Sequence, residues 1–261
     1  MPTIVVCVKH VPDTWSERTL NPDFTLHREG VDEVIDEINE YAVEQALQLK
    51  EANPDYRVVA LTMGTPRAEE ALRKALAMGC DDAAILTDDA LAGSDVLGTS
   101  WALNSAINAL GEDVALVVTG NASSDGSMGA VPGILAEYRA VPALTNLTKV
   151  AIEGTTITGT REDTHGEYEL SAQLPAVVSV TEKSGKPRFP NFKGIMAAKK
   201  KEIRTLSLAE TGATAEQVGL AHAATAVRSA DTRPERTQGT ITRGASAPTE
   251  LVDFLAERGL I

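Results

Sequence analysis

A chain of 261 residues, 43% of them apolar, is long enough for one large α/β domain with an extension or for two small domains, and its apolar content excludes general disorder. Asp and Glu outnumber Lys and Arg by 37 to 24, a net charge of −13 that opposes nucleic acid and anionic membrane surfaces while favouring solubility or basic partners. The longest apolar runs, such as Val114–Val118, are far too short for membrane insertion, and Met1–Val6 lacks the basic start of a signal peptide. Two isolated cysteines and four scattered histidines form neither a disulfide framework nor a metal cluster, so a reducing, cytoplasmic setting is expected.

In chain order, Ile4–Val8, Tyr56–Leu61, Ala83–Leu86 and Val114–Val118 are apolar runs with little polar alternation, the pattern of strands buried on both faces in a parallel sheet. Helical spacing lies between them. It joins Ile38, Ala42, Ala46 and Leu49, then Ala68, Ala71, Leu72, Ala75 and Leu76, with Thr65 as cap, Pro66 in the first turn and Gly79 past the end. A third helix carries Leu103, Ala106, Ile107 and Leu110, with Ser94 as cap and Gly111 as stop, and a fourth carries Val131, Ile134, Leu135 and Tyr138. Alternating strands and helices predict a doubly wound, mostly parallel sheet with right-handed crossovers. Ligands bind such sheets outside the carboxyl ends of the strands, which puts Cys7–Thr14, Thr62–Pro66 and Gly120–Gly129 around one crevice.

From about Thr145 the pattern changes to short strands over Leu147–Ile152, Thr155–Gly159, Glu167–Gln173 and Ala176–Val180. Glu153-Gly154 and His165-Gly166 are turn pairs, so an antiparallel edge is expected. Residues 181–194 read as an exposed loop and Ile195–Lys201 as a short helix ending in three lysines. Residues 207–245 are poor in large apolar groups and should not fold alone; they lead into an amphipathic helix, Thr249–Arg258, with Leu251, Phe254 and Leu255 on one face. The expected division is an α/β domain over 1–206, including a loop at 183–196, and a C-terminal arm with its helix over 207–261.

The segment Gly120–Gly129 follows a strand and precedes a helix. Gly126 and Gly129 permit close backbone approach and positive φ, and Ser123, Ser124 and Ser127 supply hydroxyls. A helix start at about Ser127 offers N–H groups to a phosphate, and Asp125 can cap or meet a ribose hydroxyl. The segment is neither Gly-x-Gly-x-x-Gly nor a P-loop, so hydride chemistry and P-loop hydrolysis lose support.

Several collinear stretches together resemble the electron-transfer flavoprotein beta family: Cys7-Val8-Lys9-His10-Val11-Pro12-Asp13, Glu40–Leu47, Ala75-Leu76-Ala77-Met78-Gly79-Cys80-Asp81, the Gly120–Gly129 loop, Leu174–Val178, Ile195–Lys201 and Arg236-Thr237-Gln238-Gly239. The resemblance implies an adenine-nucleotide α-hydrolase-like fold and no catalytic residue set. It implies a heterodimer with a larger alpha subunit that holds the redox FAD, the arm wrapping that partner. AMP, or a second FAD, is implied in this chain. Nucleotide contacts implied by the family pattern are Cys7, Asp36 to Asn39, Met63 and the loop Asn121, Ser123, Ser124, Asp125, Gly126, Ser127, Met128 and Gly129; Lys9, from its own place at a strand end, can contact a phosphate or be solvated. The family's docking loop for acyl-CoA or other dehydrogenases matches Pro187, Arg188, Phe189, Phe192, Ile195 and Met196, with Phe192 at the anchor position. The chain departs from the pattern at Asn39-Glu40-Tyr41, where the family often has Asn-Pro-Phe, and at Thr14, which replaces an aromatic that can touch the flavin. Residues 161–167 match the family's acidic signature only in part.

Each residue also has a plainer reading. Cys7 and Cys80 suit packing, Met63 a core or pocket wall, Lys9 a solvated strand end and Lys199–Lys201 a solvated face. Phe192, a large apolar group in a Pro/Gly loop, is harder to explain without a partner. Competing functions are an ATP-using α-hydrolase-type enzyme, disfavoured because Lys9–Thr14 is no Ser-Gly-Gly-x-Asp-Ser loop, and a nucleotide-sensing stress protein, which would be shorter.

Overall fold

A computed structural model describes residues 1–236 and 238–261; Thr237, within one of the family-like stretches, lies outside the described residues. In chain order the elements are β1 (Thr3–Cys7), β2 (His10–Pro12), β3 (Glu33–Ile35), α1 (Glu37–Ala52), β4 (Arg57–Met63), α2 (Glu69–Met78), β5 (Asp82–Leu86), α3 (Val96–Ala109), β6 (Val114–Gly120) and α4 (Val131–Arg139). There follow β7 (Ala143–Glu153), β8 (Thr156–Asp163), β9 (Gly166–Gln173), β10 (Ala176–Val180), α5 (Phe192–Lys200), β11 (Arg204–Leu206), α6 (Leu208–Thr211) and α7 (Ala247–Glu257).

Nine strands form one sheet in the order β11-β5-β4-β1-β6-β10-β7-β8-β9. From β11 to β7 every pairing is parallel; β8 and β9 add the antiparallel edge. Strands β1 and β10 are buried at every residue, Ser179 of β10 accepting the Asn146 N–H; β10, expected within the antiparallel edge, instead pairs in parallel with both β6 and β7, because both of its faces are covered. Each face carries its own core. One gathers Ala42, Val43, Ala46 and Leu47 of α1 with Ala71, Leu72 and Ala75 of α2. The other gathers Ala102, Ala106 and Ile107 of α3 with Leu135 and Ala136 of α4. Strand order reverses at β1, which lies between β4 and β6, and that reversal opens the crevice beyond the carboxyl ends of β1 and β6.

The caps differ from expectation at two helices. Asp95 accepts from the N–H of Gly98 at the start of α3, so it is the cap. Ser94 instead donates its Oγ to the Leu91 carbonyl and accepts from the Gly219 N–H. Thr65 makes no side-chain cap; Pro66–Ala68 forms a 3₁₀ turn ahead of α2. Gly79 does end α2, with φ +133°.

The chain divides into two compact units, Met1–Val227 and Arg228–Ile261. Leu208, Ala213 and Val218 are buried in the second core of the first unit, although too sparse to show any period in the sequence. In the second unit, α7 exposes Leu251, Val252 and Phe254, with the Arg258 guanidinium over the Phe254 ring. No described helix is long and apolar enough to cross a membrane.

Candidate nucleotide site and docking surface

At the crevice, β1 ends in Cys7 and the chain turns at Val8 and Lys9, while β6 runs into the Gly120–Gly129 segment. The Cys7 thiol is buried and pushed up to about 12 by that burial, against a smaller opposing pull from Arg139, so it is inert packing. Met63, at the end of β4, is half-buried against the same core.

The start of α1 ties these loops together. The Asn39 side-chain carbonyl accepts the Lys9 N–H at 2.8 Å. Asp36, nearly fully buried, accepts the Ser124 N–H at 2.7 Å. Burial raises the Asp36 carboxyl above its ordinary range despite that bond. Asp125 neither caps a helix nor faces solvent. Its carboxylate bridges two cations, Lys9 Nζ at 2.7 Å and Arg28 at 2.8 Å, with its side chain 2% exposed. Burial pushes the Asp125 carboxyl up, but Lys9, a hydrogen bond from Ser123 and Arg28 outweigh it and hold the group at about 2.

That depressed pKa has a sign. The ionised Asp125 contributes stability that is complete above its ordinary 3.8 and is lost as pH falls toward about 2. The shift corresponds to about 2 kcal/mol. Asp125→Asn should therefore unfold more easily than the parent at about pH 6, with the gap closing during acid titration. Urea melts across that range measure it; a gap that does not change with pH would show that the ion pairs add nothing.

The turn beyond Asp125 differs from expectation. Gly126 has no positive φ; the left-handed residues are Ser127 at +52° and Gly129 at +66°. Nor does a helix begin at Ser127, whose N–H bonds back to the Ser123 carbonyl at 2.8 Å. The helix α4 starts at Val131, with Pro132 in its first turn. Among the described residues no backbone carbonyl accepts the N–H of Met128, Gly129 or Ala130. These groups lie just ahead of α4, a position whose N–H groups can meet an anion. A cleft of about 490 Å³ that includes Ser124 is lined by five acids, Glu33, Asp36, Glu37, Glu40 and Glu70, against the single cation Lys74, which is paired with Glu40, a balance unfavourable to a phosphate.

The second surface is built by α5. Asn191 caps it by accepting the Gly194 N–H at 2.8 Å, so the helix begins at Phe192, one turn before the expected Ile195. Gly194 lies so close to α2 that an added Cβ would sit 2.5 Å from the Ala77 carbonyl oxygen. This close seat turns Phe192, Ile195 and Met196 outward, at i, i+3 and i+4 on one face. Phe189 is 82% and Phe192 79% exposed, and Ile195 and Met196 are each 40% exposed. Pro187 is half-buried at the base. Arg188 directs its guanidinium inward, to Glu44 at 2.7 Å and Glu51 at 2.6 Å.

An electron transfer flavoprotein domain model matches residues 23–211. The chain is 51% identical over 267 residues to the electron transfer flavoprotein subunit beta of Mycobacterium tuberculosis, covering 100% of both chains. This chain belongs to the electron transfer flavoprotein beta subunit family. It is 36% identical to the same subunit of Megasphaera elsdenii, over 91% of this chain and 90% of the relative. It is 32% identical to a caffeyl-CoA reductase–Etf complex subunit of Acetobacterium woodii, over 99% of each. Membership makes the chain a component of electron transport and of a flavoprotein.

Lys9, Asp36, Asn39 and the 121–129 segment are joined by hydrogen bonds at the ends of β1 and β6, while Cys7 and Met63 pack into or against the core of one sheet face. Sequence reading missed Arg18, Arg28 and Glu33. Arg18 donates to the Ser124 carbonyl at 2.6 Å, and Arg28 holds Glu33 at 2.7 Å as well as Asp125. The only hint in the sequence is a pair of arginines in a polar stretch; nothing local ties Arg28 to a carboxylate 97 residues away.

Proposed function

We propose that this chain is the small subunit of a heterodimeric electron carrier, with no catalytic residue set of its own. It receives electrons from acyl-CoA or other dehydrogenases that dock on Phe189, Phe192, Ile195 and Met196, and it passes them to a respiratory acceptor in the cytoplasm. FAD, held mainly by a larger alpha subunit, supplies the redox chemistry; this chain binds and orients. The observation that carries the reading is the pairing of an unspent N–H cluster at the sheet's switch point with a separate, exposed aromatic surface. The first suits the phosphate of AMP, or of a second FAD, and the second suits a protein partner. The exposed apolar residues of α7 support a role for the 228–261 unit in gripping the alpha subunit.

Two measurements test this. The mass of the small molecule released on denaturing the purified complex should be that of AMP; FAD would mean a second flavin, and neither would overturn the nucleotide reading. Deleting residues 228–261 should abolish the heterodimer on gel filtration while the remaining chain keeps its far-UV spectrum. A cut at 207 would be uninformative, because it strips Leu208, Ala213 and Val218 from the core. Full assembly without 228–261 would overturn the gripping role.

A further inference from the structure

Between β2 and β3 the chain makes an excursion over residues 13–32. It is braced internally by Asn21 on the Thr25 hydroxyl at 2.9 Å, by Asp23 on that same hydroxyl at 2.6 Å and by an isolated Leu20–Leu26 bridge. Two of its arginines leave it for the 121–129 turn: Arg18 to the Ser124 carbonyl, and Arg28 to the far oxygen of Asp125. Arg28 is itself fixed by Glu33, whose side chain is 3% exposed, and by the His10 carbonyl at 3.2 Å. Asp125 thus spends one oxygen on Lys9 and the Gly126 N–H and the other on Arg28, with its side chain 2% exposed.

The turn that follows needs such support. Ser127 is a non-glycine residue in the left-handed region, a conformation that costs energy and persists where its surroundings enforce it. The N–H groups of Met128, Gly129 and Ala130, which follow it, meet no backbone acceptor among the described residues. We infer that Arg28 is a positioning residue for the bound nucleotide. Acting through Asp125, it holds the Ser123–Gly129 turn in its anion-accepting shape from the 13–32 excursion. Coupling between two sites is reciprocal, so a nucleotide on the turn tightens the 13–32 excursion in return. This rests on the nucleotide reading given above.

The test uses the full chain in its purified complex, stripped of nucleotide, with AMP as probe. Arg28→Gln should weaken AMP binding by about tenfold, a coupling of ordinary size. Arg28→Lys, which keeps the charge on Asp125, should recover most of it. A second readout is chymotrypsin cleavage at Trp15 and Phe24, which are 95% and 37% exposed, located by mass. In the parent, AMP should slow those cuts; in Arg28→Gln it should not. Arg18→Ala, which leaves no buried charge behind, serves if Arg28→Gln fails to fold, and should likewise lose the protection. A purely structural Arg28 would lower the melting temperature and leave AMP affinity, measured well below it, unchanged; that result overturns the inference. A parent that binds AMP but gains no protection also overturns it. A parent that binds no AMP overturns the nucleotide reading beneath it.

Discussion

Replacing Arg188 with alanine should destabilise the chain by about 3 kcal/mol, the lower end of the cost of stripping the partner from a buried charge. Glu44 lies within α1 with its side chain 6% exposed, and it accepts from the Arg188 backbone N–H, Nε and a terminal nitrogen at 3.0, 2.7 and 3.0 Å. The lower figure applies because a third of Arg188 stays in water and Gln48 still reaches Glu44 at 2.8 Å. For a chain of this size that loss corresponds to a fall of roughly 6–12 °C in melting temperature.

The deficit should also depend on pH. Burial raises the Glu44 carboxyl, but the hydrogen bonds from Arg188 and Gln48 outweigh it and hold the group below its ordinary 4.5. Its ionised form therefore adds stability above 4.5 that is lost as pH falls through the lower folded value. Without Arg188 the same carboxylate is buried and poorly compensated, so the deficit should be largest at neutral pH and shrink in acid. Adding Glu44→Gln to the variant should restore part of the stability, since the unpaired charge is then gone. Equal melting temperatures at neutral pH would sink the clamp.

The parts of this molecule that were legible in the sequence share one physical feature: their signal is local and periodic. The strands β1, β4, β5 and β6 are mostly apolar runs because both of their faces are covered, and the helices α1 to α4 repeat small apolar residues every three or four positions against the sheet; β10, expected in the antiparallel edge, was misplaced because its partners β6 and β7 are set by tertiary packing and not by its own short run. The ends of β1 and β6, and the reversal of strand order between them and β4, followed from the same runs. The parts that were misread turn on competition between neighbouring residues. Asp125-Gly126-Ser127 has the composition of a helix cap, but its carboxylate is drawn away by Lys9 and Arg28, and the helix starts only at Val131. Gly126 was the obvious residue for a positive φ, yet Ser127 takes it, because the turn is fixed from outside rather than by its own preference. Pro190 and Gly194 suggested a loop, where Asn191 caps a helix and Gly194 serves close packing on α2. Ser94 lost its cap role to the residue beside it because its hydroxyl is engaged by Leu91 and Gly219.

Phe192→Ala should leave the fold intact and slow electron transfer from a cognate dehydrogenase by about ten- to a hundredfold. The first half follows from position. Phe192 is 79% exposed at the first turn of α5, so truncating it opens no cavity, and none of the several kcal/mol that accompany core truncations is at stake. Melting temperature, flavin absorbance and nucleotide content should match the parent. The second half follows from the surface. A large aromatic standing in water beside Phe189, Ile195 and Met196 is unfavourable until a partner covers it, and a side chain of that size entering a partner pocket contributes about 2 kcal/mol or more. That energy corresponds to the stated loss in affinity. Phe189, 82% exposed on the other side of Pro190, should share the load, so Phe189→Ala and Phe192→Ala together should lose less than the sum of their separate effects if both enter one pocket. The rigid seat at Gly194 and the Arg188 clamp make the pair a fixed epitope, which limits the ordering cost of docking. Melting and transfer measured on one preparation decide the matter: an unchanged transfer rate at subsaturating dehydrogenase would remove Phe192 from the docking surface, whatever the melting temperature does.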